Sequence, residues 1–160
     1  MTLDAGISTN PQCLEAYDLF KMKTKYDFVI FKANDKMNEI IVDICPEVGE
    51  SEKVWKEIGA SCDVKRENDE PVEYWNLRRL ILAKKEPRYA TILIQPPSSS
   101  SAKLTMVYWS PDDAPSKQKM VYSSTKMSFK GKLNGLQGLL QCNDLEELSY
   151  KDACKNATKI

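Results

Sequence analysis

The sequence predicts an α+β fold, a mixed β-sheet with helices on its faces, and three observations carry that reading. Two β-rich runs, KYDFVIFKA and MNEIIVDIC, flank the turn residues NDK and together read as a hairpin. Two more runs, RYATILIQ and KLTMVYWS, flank PPSSSSA, a linker-like loop whose prolines keep it out of a strand. Between and around these runs lie stretches with the 3.6-residue apolar spacing of helices.

In chain order, Asn10-Pro11 marks a helix start, and PQCLEAYDLFKMK places Leu14, Tyr17, Leu19, Phe20 and Met22 near helical spacing. The hairpin follows over residues 25–45. From Pro46 to Glu70 the composition turns acidic and polar, and SEKVWKEIG reads as a short helix within a surface insertion. EPVEYWNLRRLILAKK is a stronger helix, with Pro71 near its first turn and Val72, Trp75, Leu77, Leu80 and Leu82 as its apolar positions. After the second pair of strands, Pro115 opens a long helix, preceded by Asp112 and Asp113, which suit its positive end. Gly138 to Gln141 reads as a short extended piece and LEELSYKDACKNATKI as a final helix.

Composition removes whole classes of function. At 160 residues the chain reads as one domain able to bury its own core. Lys+Arg and Asp+Glu are both 23, so no global field draws it to nucleic acid or to a membrane surface. The charge is uneven, however. Glu47 to Asn76 holds nine acids against four bases, and Pro115 to Ile160 eight lysines against four acids, which points anionic partners to the C-terminal third. There is no histidine, which excludes Ser-His and Cys-His nucleophiles and imidazole metal ligation together. The five cysteines are scattered with no C-x-x-C pair, a pattern of free thiols in a reducing compartment. The N-terminus has neither a basic n-region nor an apolar run, and no stretch is apolar for the length of a bilayer, so a cytoplasmic protein is expected. In that compartment the sequon Asn156-Ala157-Thr158 stays empty. No cofactor or metal is expected.

Placed on one helix at 100° per residue, residues 116–133 divide into two stripes. Tyr122, Phe129 and Leu133, with Thr125 beside them, form a core stripe. Met120, Ser124, Met127 and Gly131 form another on nearly the opposite side, bordered by Lys117 and Lys119. A solvated face normally carries Glu, Lys and Gln. Small residues that allow close approach, with methionines that mould to a partner, read instead as a docking face; the alternative is two scattered surface apolars.

WSPDDAPSKQKMVYSSTK, followed by LNGLQ and NDLEELSY, closely resembles the long-helix signature of the actin-depolymerising factor/cofilin family. RYA before a strand, the hairpin, and AGIS ahead of the first helix stand in matching places. The resemblance covers nearly the whole chain except Pro46 to Glu70, which looks longer than the family norm. It implies a single homology domain of that family over residues 1–160. Its fold would be a central mixed, mostly antiparallel sheet sandwiched between helices, a three-layer arrangement like that of gelsolin domains. It also implies a cytoskeletal actin-binding protein, monomeric and without catalysis, that binds actin monomers and promotes filament disassembly and turnover, with modest severing.

Carried over by motif, the resemblance places a monomer-binding surface at Gly6, Ile7 and Ser8, at Asp112, and at Lys117, Lys119, Met120, Ser124 and Thr125. A filament-binding surface would use Lys103 beside the serine-rich loop and Lys155 and Lys159 near the C-terminus, lysines where the family pattern carries an acid and arginines. The family's regulatory serine precedes the N-terminal glycine, and here that position is Ala5. Phosphoinositide lipids are a further partner that the resemblance implies, through Lys117, Lys119, Lys126, Lys130 and Lys132. A small cytosolic enzyme is the contrasting class; Cys62 or a Glu/Asp pair would have to serve it, and no spacing supports one.

Overall fold

The computed structural model describes residues 6–22, 25–58, 62 and 64–157. Its elements run β1 (Ser8–Thr9), α1 (Pro11–Lys21), β2 (Val29–Ala33), β3 (Glu39–Ile44), α2 (Ser51–Ile58), α3 (Val72–Leu82), β4 (Arg88–Ile94), β5 (Lys103–Trp109), α4 (Ser116–Lys132), β6 (Gly138–Cys142) and α5 (Tyr150–Asn156). The six strands form one sheet in the order β1-β3-β2-β4-β5-β6. The four central strands pair antiparallel with one another, while β1 and β6 close the two edges in parallel pairing. The mixed, mostly antiparallel sheet expected from the sequence is therefore present, and the hairpin and both later strands belong to it.

Helices cover both faces. On one, α1 and α4 pack Cys13, Tyr17, Phe20, Tyr122 and Phe129 against Val29, Phe31, Tyr89 and Met106. On the other, α3 and α5 pack Tyr74, Leu77, Ile81 and Ala153 against Phe28, Ile30, Ile92 and Val107. Successive residues of β2 thus enter opposite cores, which is why the strand reads as an unbroken apolar run. The NDK turn closes through Asn34, whose side-chain oxygen accepts the Asn38 amide at 3.0 Å, and Met37 takes the left-handed conformation at φ 56.

Three helices differ from expectation in detail. In α1, Cys13 and Ala16 enter the core, while Met22, just past the last turn, is 68% exposed. In α3 the buried residues are Tyr74, Leu77, Leu80 and Ile81 together with Asn76, Arg78 and Arg79, whereas Val72, Trp75 and Leu82 stay half-buried. The final helix does not begin at Leu145. Residues 145–148 form turns, and α5 starts after Ser149, whose hydroxyl caps it by accepting the Asp152 amide at 3.2 Å.

The acidic segment 46–70 is not the loose surface insertion its composition suggests. Glu70 is 1% exposed and holds Arg78 through two bonds, 2.6 Å to Nη2 and 2.9 Å to Nε. Ser51 is buried against the Asn76 amide at 2.8 Å. Arg79 lies 4.5 Å from the Trp55 ring and 3.8 Å from the Trp75 ring while bonding Glu52 at 2.7 Å, which fastens α2 onto α3. Glu67 reaches further and accepts the Tyr150 amide at 2.6 Å, tying the segment to α5.

The core also sets an alkaline limit. Burial, assisted by the charge of Glu39 and opposed by a hydrogen bond at Asn10, raises the Cys13 thiol from its ordinary 9.0 to about 12. Burial, and then the charge of Asp18, raises Tyr17 from 10.0 to about 12. The folded state keeps both groups protonated after the unfolded chain has begun to lose those protons. Their contribution is therefore complete below pH 9 and falls as pH climbs towards 12, at up to about 1.4 kcal/mol per pH unit for each group. Urea midpoints at pH 8, 9, 10 and 11 should decline across that window. A Cys13→Ala variant should decline less steeply, and an equal slope would contradict the assignment of Cys13.

Candidate functional site

The long helix α4 is fixed from its buried side. Tyr122 accepts the Ala33 amide at 2.7 Å through its hydroxyl, and its own carbonyl accepts the Tyr89 hydroxyl. Phe129 stacks on Tyr89 at 4.9 Å and meets Phe31 edge-on at the same separation. At the first turn Gln118 donates to Glu86 at 3.1 Å. That bond, with Arg88 beside it and against the effect of burial, holds the Glu86 carboxyl below its ordinary range. These contacts fix the helix's rotation, and so decide what its other face presents.

That face is the stripe read from the sequence. Met120 is 64% and Met127 61% exposed, Gly131 is exposed and Ser124 half-buried. Lys117 and Lys119 flank the first methionine. Lys117 is exposed on the rim of a cleft of about 310 Å³ that is also lined by Lys32, Glu86, Gln118 and Tyr122. Lys119 donates to the backbone carbonyl of Asp112 at 2.9 Å, so the turn before the helix and the helix's first turn form one unit. Asp112 itself is exposed.

Two of the sequence-derived assignments change. Thr125 does not belong to the exposed set. It is fully buried, because it lies on the core stripe, and its hydroxyl accepts the Ile7 amide at 3.0 Å. Ser124 stays on the face, but its hydroxyl proton goes to the Val121 carbonyl at 3.2 Å on its own helix, leaving it as an acceptor towards a partner. Ser123 and Ser128 bond their own helix in the same way, to the Met120 and Thr125 carbonyls.

The N-terminal segment joins this surface directly. Gly6 and Ile7 are half-buried against α4, and Ser8 is exposed as the first residue of β1. Pairing of Ser8 with Glu39 and Thr9 with Ile40 carries the chain from the helix to the sheet edge. Ala5, the position of the family's regulatory serine, lies outside the described residues.

The five lysines offered for an anionic headgroup do not converge. Lys117 and Lys132 are fifteen residues apart, about 22 Å along a helix. Lys126 leans towards β6, donating to Gln141 at 2.9 Å, and lies 5.8 Å over the Tyr108 ring. Lys130 and Lys132 sit in the last turn.

The residues expected to make a second surface fall at one end of the sheet. Lys103 begins β5 opposite Ile94, and the adjacent Gln95 carbonyl accepts the Tyr150 hydroxyl of α5 at 3.1 Å. Lys103 and the exposed Lys155 of α5 therefore belong to neighbouring elements, while Lys159 lies outside the described residues. Lys65 and Arg66 are also exposed, on the segment whose Glu67 touches Tyr150.

This arrangement can be compared with known proteins. The sequence profile of the cofilin/tropomyosin-type actin-binding protein family matches residues 6–157. The chain belongs to this family. It is similar to the cofilin of Gibberella zeae, 29% identical over 159 residues that cover 97% of this chain and 95% of that protein. It is also similar to the actophorin of Acanthamoeba castellanii, 27% identical over 157 residues with 97% of each chain covered. Among solved structures, the cofilin of Streptomyces griseoflavus shares the fold with a TM-score of 0.70 at 27% identity, over 95% of this chain and 97% of that one. The cofilin-family fold thus accounts for the three layers and for the prominence of α4. No described helix is long and apolar enough to cross a membrane.

Proposed function

We propose that this chain binds actin monomers through α4 and the N-terminal segment and speeds filament disassembly and turnover, acting as a non-catalytic monomer in the cytoplasm. The observation that carries the reading is the exposed Met120 stripe, set opposite a buried stripe on the same rigid helix. Met120 supplies soft apolar area at the centre, while Lys117, Lys119, Asp112 and Ser8 form a polar rim around it. Ser124 allows close approach and offers an acceptor. The lysines complement an acidic partner surface and set the encounter rate more than the final affinity.

Filament binding would use Lys103, Lys155 and Lys159 as a second contact. Lys103 follows a serine-rich loop whose ordering costs entropy, and lysines lack the bidentate geometry of arginine. Decoration and severing of filaments are therefore modest, and both fade as salt rises. The test measures monomer affinity and filament pelleting on one preparation at increasing ionic strength. Binding to monomers with salt-sensitive pelleting is expected. Tight, salt-resistant pelleting that survives joint alanine replacement of Lys103, Lys155 and Lys159 would show the second surface to lie elsewhere, and no monomer binding at all would overturn the reading.

Phosphoinositide binding is a second reading, favoured by the exposure of Lys117 and by its place beside Lys119. It involves Lys126, Lys130 and Lys132 only if several headgroups bind at once, given their spread along α4. Vesicles containing such lipids would then compete with actin for the first turns of the helix. With Ala5 in place of the serine, control by a kinase at that position is lost, and without histidine no imidazole supplies a switch near neutral pH.

A further inference from the structure

We infer that Thr125 and Gly6 form a latch that positions the N-terminal segment for the actin contact, so that a buried threonine hydroxyl controls affinity without touching the partner. The inference rests on the actin reading above and extends it to Thr125, which is buried beneath the contact surface. Thr125 is fully buried, and its Oγ1 accepts the Ile7 amide at 3.0 Å across 118 residues of sequence. Gly6 lies so close to the helix that a Cβ on it would stand 2.7 Å from the Thr125 Cα, 2.9 Å from its Oγ1 and 3.1 Å from the Ser124 carbonyl oxygen. Two of those three neighbours are backbone atoms of a helix held by aromatic packing, so they have no freedom to withdraw. The segment is thus held by a backbone amide and by the absence of a side chain.

Position explains the consequence. Ser124, whose carbonyl approaches Gly6, is one helical turn from Met120, and the segment continues directly into exposed Ser8. Release would take Gly6 and Ile7 off the flank of the Met120 face and leave the Ile7 N–H without its acceptor, while Ser8 stays paired with Glu39 at the sheet edge. A partner would then have to order the segment on binding, which lowers affinity by the fraction of molecules in which it is docked. Thr125 is therefore a positioning residue. Its methyl and β-branch fill the core, and its hydroxyl accepts the Ile7 amide that docks the segment on α4.

The test separates those two roles. Thr125→Val keeps shape and branching and removes the acceptor, Thr125→Ser keeps the acceptor, and Gly6→Ala acts from the other side. Monomer affinity is measured for each beside hydrogen exchange of the Ile7 amide, which needs no actin. Thr125→Val and Gly6→Ala should each bind actin about tenfold more weakly, with faster exchange at Ile7 and slow exchange retained at core amides of β4 and β5. Thr125→Ser should resemble the natural protein in both measurements. Full affinity in Thr125→Val despite free exchange would overturn the positioning role, and retained protection at Ile7 would overturn the latch itself. Loss of binding in Thr125→Ser equal to that in Thr125→Val would also overturn it. If the natural protein fails to bind actin, the functional reading fails, and the Ile7 exchange still decides whether the latch exists. Should Thr125→Val not fold, Gly6→Ala carries the same comparison.

Discussion

Glu70→Ala is expected to destabilise the protein by roughly 3–5 kcal/mol, more than any other single change in the acidic segment. Glu70 is 1% exposed, and its carboxylate accepts from Arg78 Nε at 2.9 Å, from Nη2 at 2.6 Å and from the Glu67 amide at 2.8 Å. Without it, the buried guanidinium keeps, among the described residues, the Lys65 carbonyl at 3.0 Å and Glu67 at 3.5 Å. A charge stranded in that way costs far more than the pair contributes when intact. For a chain of this length the loss corresponds to a fall in melting temperature of roughly 10 °C. The joint replacement Glu70→Leu with Arg78→Met removes both charges and should recover most of the loss. Glu52→Ala provides the contrast, because its side chain is 42% exposed where it meets Arg79, and it should cost under about 1 kcal/mol. A small effect of Glu70→Ala in thermal melts would mean that the segment is not fastened to α3 as described.

The same ion pair shows why the sequence revealed the fold better than its details. The two stripes of α4 were legible because seventeen helical residues give periodicity room to speak, and aromatic residues mark one stripe while methionines mark the other. The phase of α3 was misread because Arg78 and Arg79 are buried by partners from residues 51–70, which no local pattern discloses. The strand β1 has two residues and so offers no alternation to detect. The final helix was overextended because the capping role of Ser149 became visible only once residues 145–148 were seen as turns. In the candidate site, Met120 was readable as apolar and opposite the core. The spacing also set Thr125 beside the core stripe, but not its bond to the Ile7 amide, since a threonine hydroxyl looks alike facing solvent or facing a partner 118 residues away.

Joint replacement of Lys117, Lys119 and Met120 by alanine is expected to weaken actin-monomer binding about a hundredfold, close to 3 kcal/mol. Met120, 64% exposed in the free protein, would account for at least about 1 kcal/mol through apolar area lost from the centre of the contact. The lysines act mainly on encounter, so their share should appear in the association rate and shrink with added salt, whereas the methionine's share should appear in dissociation. The fold should be untouched. Lys117 is exposed, the Lys119 ammonium bonds the exposed turn at Asp112, and Met120 faces away from Tyr122 and Phe129, so melting should stay within about 0.5 kcal/mol of the natural protein. Met127→Ala refines the result, because Met127 continues the same stripe two turns along at 61% exposure. A loss there comparable to Met120→Ala would extend the contact along the helix, and no loss would confine it to the first turns beside the N-terminal segment. Unchanged monomer affinity in the triple variant, with its fold intact, would remove α4 from the binding surface altogether.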